Sequence, residues 1–183
     1  MAKKKVNTED QRFFIQYGIN IKKRRVFLDE EVDEASIGWI VRSIMEMVDE
    51  DPEAPISLYV NSFGGSAYDG LALYDILESL ECPIHTYCLG SAMSMGLILF
   101  LAGDERFGYP RATFMAHSLS AGVWGKVEEM TIDLKESKRL NDLLLAILAD
   151  KTKKTKKWWG DKIKHDDFYI DPKAAVKLGI TNS

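Results

Sequence analysis

Cysteine is nearly absent from this 183-residue chain: there are two, Cys82 and Cys88, with no CxxC or other metal-type spacing. A disulfide framework and a thiolate metal site are both excluded, and the pair reads as reduced thiols of a cytosol-like compartment. A long hydrophobic run is missing too. The longest, residues 89–103, falls short of the roughly 20 residues needed to cross a bilayer. The basic N-terminus is followed by no apolar stretch, so it does not read as a signal peptide. No surplus of positive charge exists either. The formal net charge is −4, and the lysine-rich spots at 3–5, 22–25 and 151–157 read as solvated surface, which argues against nucleic acid as a partner. Internal repeats and a linker long enough to split the chain are likewise absent. What is present is 46% apolar residues, enough for one domain with a substantial core. The expectation is a soluble, cytoplasmic protein with no membrane contact.

Hydrophobic periodicity gives the order of elements. Residues 1–12 are polar and read as a mobile arm. RVFL (25–28), ISLYVN (56–61) and PIHTYCLG (83–90) read as strands, and two more lie near 106 and 112. Between them Ile37, Ile40, Val41, Ile44, Met45 and Val48 recur at helical spacing, YDGLALYDILESL forms a second helix, and SAMSMGLILFLAG a buried third. Alternation of this kind predicts βαβ units and a mostly parallel α/β sheet, with sites at the C-terminal ends of strands. A long helix is expected over 127–151, either projecting onto another subunit or covering the body. A short helix follows around Trp158 and Trp159. DPKAAVKLG closes the chain with Asp171 as N-cap, Pro172 at the first helical position and Gly179 as the stop.

The unusual residue is Ser94, a hydroxyl inside the apolar run, flanked two residues away by Ala92 and Gly96. At a strand-to-helix junction it faces unpartnered N–H groups and the positive end of the helix dipole. The pattern is a relative of the GxSxG elbow with Ala in the first place; helix packing between small residues is the alternative. NSFGGS (61–66) is a second strand-to-helix turn, either a tight turn or a pair of outward amides at Gly64 and Gly65 that share an edge with Ser94. Of three histidines, His85 lies mid-strand and His165 among charges. His117 ends a strand at the same sheet edge and is the best base. Asp166 and Asp167 precede Phe168 and Tyr169, and either one is placed to orient an imidazole; the pattern does not choose between them.

NSFGG, GLALYDIL, GSAMSMGLILFLAG, RFGYPRATFMAH and DDFYIDPKAAVKLGI, in that order, resemble the proteolytic subunit of the Clp protease over residues 24–181. The resemblance implies a crotonase-type βαβ superhelix as the head (24–118 and 155–181), a projecting handle (119–153) and an N-terminal arm (1–23), all in one peptidase domain. It implies Ser94 as nucleophile, His117 as base, Asp167 as the third member, and the amides of Gly65 and Met95 as oxyanion hole. The segment 118–127 matches the family's glycine-containing strand that holds extended substrate, so Gly64, Ser118, Leu119, Ala121 and Gly122 are the expected substrate-binding residues. Polypeptide substrates, a homo-oligomer of heptameric rings stacked in pairs, and an AAA+ ATPase unfoldase are the implied partners. No metal or cofactor is implied. The chain departs from the family at Phe63, Ser118, Leu119, Thr113, Asp166 and Ser57. Two other functions share parts of this picture: a non-catalytic ring subunit, and a crotonase-type acyl-CoA enzyme, which needs no Ser–His–Asp set.

Overall fold

A computed structural model describes residues 8–122 and 124–182. Strands β2 (Arg25–Leu28), β3 (Ile56–Ser62) and β4 (Ile84–Met93) run parallel, joined by helices α2 (Glu34–Glu50) and α3 (Ala67–Ser79). Their alternate residues are buried, as expected where one sheet face is covered by helices. β4 is long and changes partner along its length. Its first half pairs with β5 (Glu105–Gly108), and Ser91–Met93 pair with β6 (Thr113–Ala116), both parallel. Antiparallel strands close both edges, β1 (Ile19–Asn20) on β2 and β7 (Phe168–Ile170) on β6. The expected α/β architecture is therefore present, with a mostly parallel sheet.

Register builds an aromatic ladder across four strands. Phe27, Tyr59, Tyr87 and Phe107 are direct cross-strand partners. Their rings stack at 4.6, 4.7 and 5.0 Å, the cross-strand contact that stabilises a sheet beyond its hydrogen bonds. Phe14 meets Phe27 edge-on at 5.7 Å from helix α1 (Thr8–Tyr17). This helix corrects the reading of residues 1–12 as an arm: 8–12 are helical, and 1–7 lie outside the described residues. Its anchor is aromatic, with Tyr17 4.4 Å from the Trp39 ring of α2.

A second correction concerns the apolar run. The strand does not stop at Gly90 but continues to Met93, and the helix α4 is shorter, Met95–Leu101. Bonding to β6 extends the strand, because Ser94 N–H still donates to the Met115 carbonyl at 2.9 Å. All seven residues of α4 are buried. A helix apolar on every side must be covered on every side, and α3, β3, β4 and helix α5 (Val127–Lys151) pack around it.

The first half of α5 stands clear of the body. Val127, Met130, Ile132 and Leu134 are exposed, whereas Leu140 and Leu148 are buried. Tyr68 of α3 donates to Glu136 at 2.9 Å and braces α5 against the head. After helix α6 (Lys156–Lys162), with Trp159 fully buried, the chain ends in α7 (Pro172–Leu178). Asp171 caps α7 by accepting from Ala174 N–H, and Gly179 stops it at φ 78°.

One side chain ties three helix ends together. The Arg106 guanidinium donates to Leu101 and Gly103 at the end of α4, to Lys151 at the end of α5, and to Gly179 and Ile180 after α7. Helix C-termini expose unpaired carbonyls and carry partial negative charge, so a cation with five fixed donors suits their meeting point.

Candidate active site

Ser94 sits between β4 and α4 with φ 52° and ψ −123°. Among the described residues only one other non-glycine, Arg24, has positive φ. Such a conformation costs on the order of 1–3 kcal/mol and persists only where its surroundings impose it. Here the strand bond to Met115 fixes one side, and Leu97 N–H, donating to the Ser94 carbonyl at 3.0 Å, fixes the other. The turn points the hydroxyl out of the sheet edge, as a nucleophile elbow does. Gly96 is closely packed: a Cβ there would lie 3.0 Å from the Ser62 carbonyl oxygen, a tight contact.

His117 follows directly after β6, the strand next to β4. Its Nε2 lies 2.7 Å from Ser94 Oγ. With the proton on Nδ1, Nε2 accepts from the hydroxyl and is placed to take its proton. The chain after His117 is pinned on both sides. Ser118 donates to the Ile163 carbonyl at 2.8 Å, and Leu119 N–H donates to Asn141 Oδ1 at 2.9 Å. The imidazole therefore stands on a fixed base. Of the other histidines, His85 is within β4 and His165 is exposed before β7.

The carboxylate is not brought in. Asp166 and Asp167 are both exposed, and among the described residues neither hydrogen-bonds to His117. The β6–β7 register ends at the Ala116–Phe168 pair. One step further puts Asp167 across from His117, and two steps put Asp166 across from Ser118.

The glycine turn separates two amides that the local NSFGGS pattern left equivalent. Gly64 N–H donates to Ser62 Oγ at 3.1 Å, and its carbonyl accepts from Val32 N–H at 2.8 Å. Ser66 N–H donates to the Val32 carbonyl at 2.7 Å. Gly65 N–H is left with no acceptor among the described residues, and Gly65 lines the same cleft as Ser94, Met95 and His117. Met95 opens α4, so its N–H has no partner within the helix. Gly64 has φ 101°, and its Cα lies so close to the elbow that an added Cβ would be 2.6 Å from Ser94 Cβ.

The cleft holds about 220 Å³. Past the polar edge it is walled by Leu97, Ile98, Leu144, Leu145, Leu148 and Ile163, a lining for an apolar side chain. A second depression continues from Gly65 along Leu119, Ser120 and Ala121 towards Tyr68 and Glu136. Ala121 and Gly122 are exposed, and 118–122 take neither helix nor strand; Val123, within the expected substrate strand, lies outside the described residues. Sequence reading missed Ser62, Asn141 and Ile163 as supports, since none carries a motif of its own.

The sequence profile of the Clp protease family matches residues 8–183. The chain belongs to the Clp protease family. It is 32% identical over 175 residues to the ATP-dependent Clp protease proteolytic subunit of Deinococcus radiodurans, covering 93% of this chain and 84% of the relative. Proteolytic subunit 2 of Synechococcus sp. (strain CC9605) is 34% identical over 178 residues, covering 94% and 88%. The subunit of Dehalococcoides mccartyi is 32% identical over 175 residues, covering 93% and 86%. Among the described residues no helix is long and apolar enough to cross a membrane.

Proposed function

We propose that this Clp-family chain is a serine endopeptidase that cuts unfolded polypeptides into short peptides. The observation that carries the proposal is the 2.7 Å contact between Ser94 Oγ and His117 Nε2 on a strained elbow beside the unpaired Gly65 amide. Ser94 Oγ attacks the carbonyl carbon of the scissile bond while His117 Nε2 takes its proton. The carbonyl oxygen gathers negative charge and is held by the N–H groups of Gly65 and Met95. As the C–N bond breaks, His117 gives the proton to the departing amine nitrogen. Water then attacks the acyl-serine, passes a proton to His117, and the proton returns to Ser94 as the carboxylic acid leaves.

The third member is drawn from the adjacent pair Asp166–Asp167, with Asp167 the residue assigned by family resemblance. Closing the loop before β7 onto His117 Nδ1 supplies the orienting carboxylate. Substrate lies extended along Gly64, Ser118, Leu119, Ala121 and Gly122, with an apolar side chain in the Leu97–Ile163 cleft. We read residues 24–118 and 155–181 as head and 119–153 as handle. The exposed apolar residues of the handle's first half support burial against other copies; heptameric rings stacked in pairs follow from the family resemblance. The relatives' names, which specify ATP dependence, support an ATPase unfoldase as partner. Two free, buried cysteines are compatible with work in the cytoplasm.

Hydrolysis of a short fluorogenic peptide with an apolar residue before the scissile bond tests this reading. Ser94→Ala and His117→Ala are each expected to lower kcat by about 10⁴ or more, and not additively in combination. At least one of Asp166→Asn and Asp167→Asn is expected to lose about 10²–10⁴. Wild-type rates in both asparagine variants contradict the triad. Peptide turnover untouched by Ser94→Ala contradicts the whole proposal.

A further inference from the structure

We infer that Ser62 is a positioning residue for the oxyanion hole: its hydroxyl sets the direction of the Gly65 amide. This rests on the peptidase reading above. Ser62 ends β3 and is 1% exposed. A buried hydroxyl must find partners, and this one has two with opposite polarity. It donates to the Glu30 carbonyl at 2.6 Å and accepts from Gly64 N–H at 3.1 Å. The Glu30 carbonyl belongs to the segment just after β2, so the hydroxyl bolts the glycine turn to the neighbouring strand's exit.

The consequence falls on the next peptide. Gly64 and Gly65 have φ values of 101° and 149°, a backbone with more freedom than any other residue type allows. Three bonds remove that freedom: Ser62 Oγ on Gly64 N–H, Val32 N–H on the Gly64 carbonyl, and Ser66 N–H on the Val32 carbonyl. Two of the three run through Val32 and fix the turn at its middle and far end. Ser62 alone fixes the near end. With all three made, Gly65 N–H is the donor left over, and Gly65 lines the cleft of Ser94 and His117. Ser62 touches no reacting atom. It acts by aiming a donor before charge develops, and misdirection by about 1 Å at such a site costs up to about 100-fold.

The experiment is steady-state kinetics of the full-length protein on an apolar fluorogenic peptide, with rates expressed per site labelled by a fluorophosphonate. Alongside it, inhibition by a peptide boronate is measured. The boronate bonds to Ser94 and puts an oxygen where the oxyanion forms. Ser62→Ala is expected to lower kcat per labelled site roughly 10- to 100-fold, leave KM within about threefold, and raise the boronate Ki by the same factor as kcat falls. Ser62→Cys, which keeps the shape and a weak acceptor, is expected to fall between Ala and wild type, and carries the test where the alanine chain does not fold. Thr86→Ala removes another buried hydroxyl bond, to the Phe100 carbonyl at 2.8 Å, and leaves kcat per site unchanged. A general loss of packing lowers the number of labelled sites and moves neither ratio. Unchanged kcat per site and unchanged Ki in both Ser62 variants overturn the inference while the peptidase reading stands. Wild-type turnover that does not depend on Ser94 overturns both.

Discussion

Ser94 and Gly64 share one steric arrangement. The elbow places Ser94 Cβ where any side chain on Gly64 would go: an added Cβ at 64 would also lie 2.8 Å from the Met93 carbonyl and 2.9 Å from Met95 N. Gly64→Ala therefore displaces the nucleophile and the Met95 amide together. We expect kcat/KM for peptide to fall by at least about 10² in a chain that still folds, measured by peptide hydrolysis with circular dichroism as the check. The sequence made Ser94, His117 and the two glycines legible, because each stands where a strand ends and a helix or loop begins. The local pattern did not distinguish Gly64 from Gly65, which only the family resemblance separated, since that distinction depends on the Ser62 hydroxyl. Nor did the pattern choose between Asp166 and Asp167, of which the resemblance named Asp167; both side chains are exposed and hydrogen-bond to nothing that fixes them on His117.

At the scale of elements, helix ends decide much of the stability. Asp33 caps α2 in a reciprocal box with Ser36. The hydrogen bond from Ser36 N–H, aided by the Ser36 hydroxyl, holds its carboxyl below the usual carboxylate range. A folded-state value below the unfolded one gives stabilisation that is complete above about pH 4 and is lost as pH falls through the depressed value. The Tm gap between wild type and Asp33→Ala should be widest near neutrality and close on acidification; a gap that grows in acid contradicts the cap. Arg106 serves three helix C-termini at once. Burial pulls its pKa down, yet the guanidinium stays charged in this ring of carbonyls. Arg106→Met leaves those carbonyls unpaired and should cost roughly 3 kcal/mol, a Tm drop of about 6–12 °C by calorimetry. Periodicity found α2, α3, α5 and α7, where apolar stripes or caps are explicit. It missed where β4 gives way to α4, because the whole run from 89 to 103 is buried and a buried strand and a buried helix look alike. It missed α1, whose hold is a few aromatic contacts to Trp39 and Phe27 rather than a stripe. The role of Arg106 was invisible because three of its five partners lie 45 to 74 residues away.

For the whole molecule, order along the chain becomes convergence in space. Residues 62–65, 94–95 and 117 follow three parallel strands of one sheet and meet at their C-terminal ends, which the alternation of strands and helices foretold. The long helix reading also carried, with α5 spanning Val127–Lys151 and its first half exposed. Which surfaces cover that half depends on other copies, and a single chain's periodicity does not encode their number. The proposed peptidase chemistry rests on the reactivity of one hydroxyl. Treating the full-length protein with a fluorophosphonate and measuring intact mass, followed by peptide mapping, reads that reactivity directly. The prediction is one adduct per chain, on Ser94, with the rate of labelling collapsing in His117→Ala. Labelling at a different residue, or peptide hydrolysis that continues at full rate with Ser94 unmodified, would contradict it.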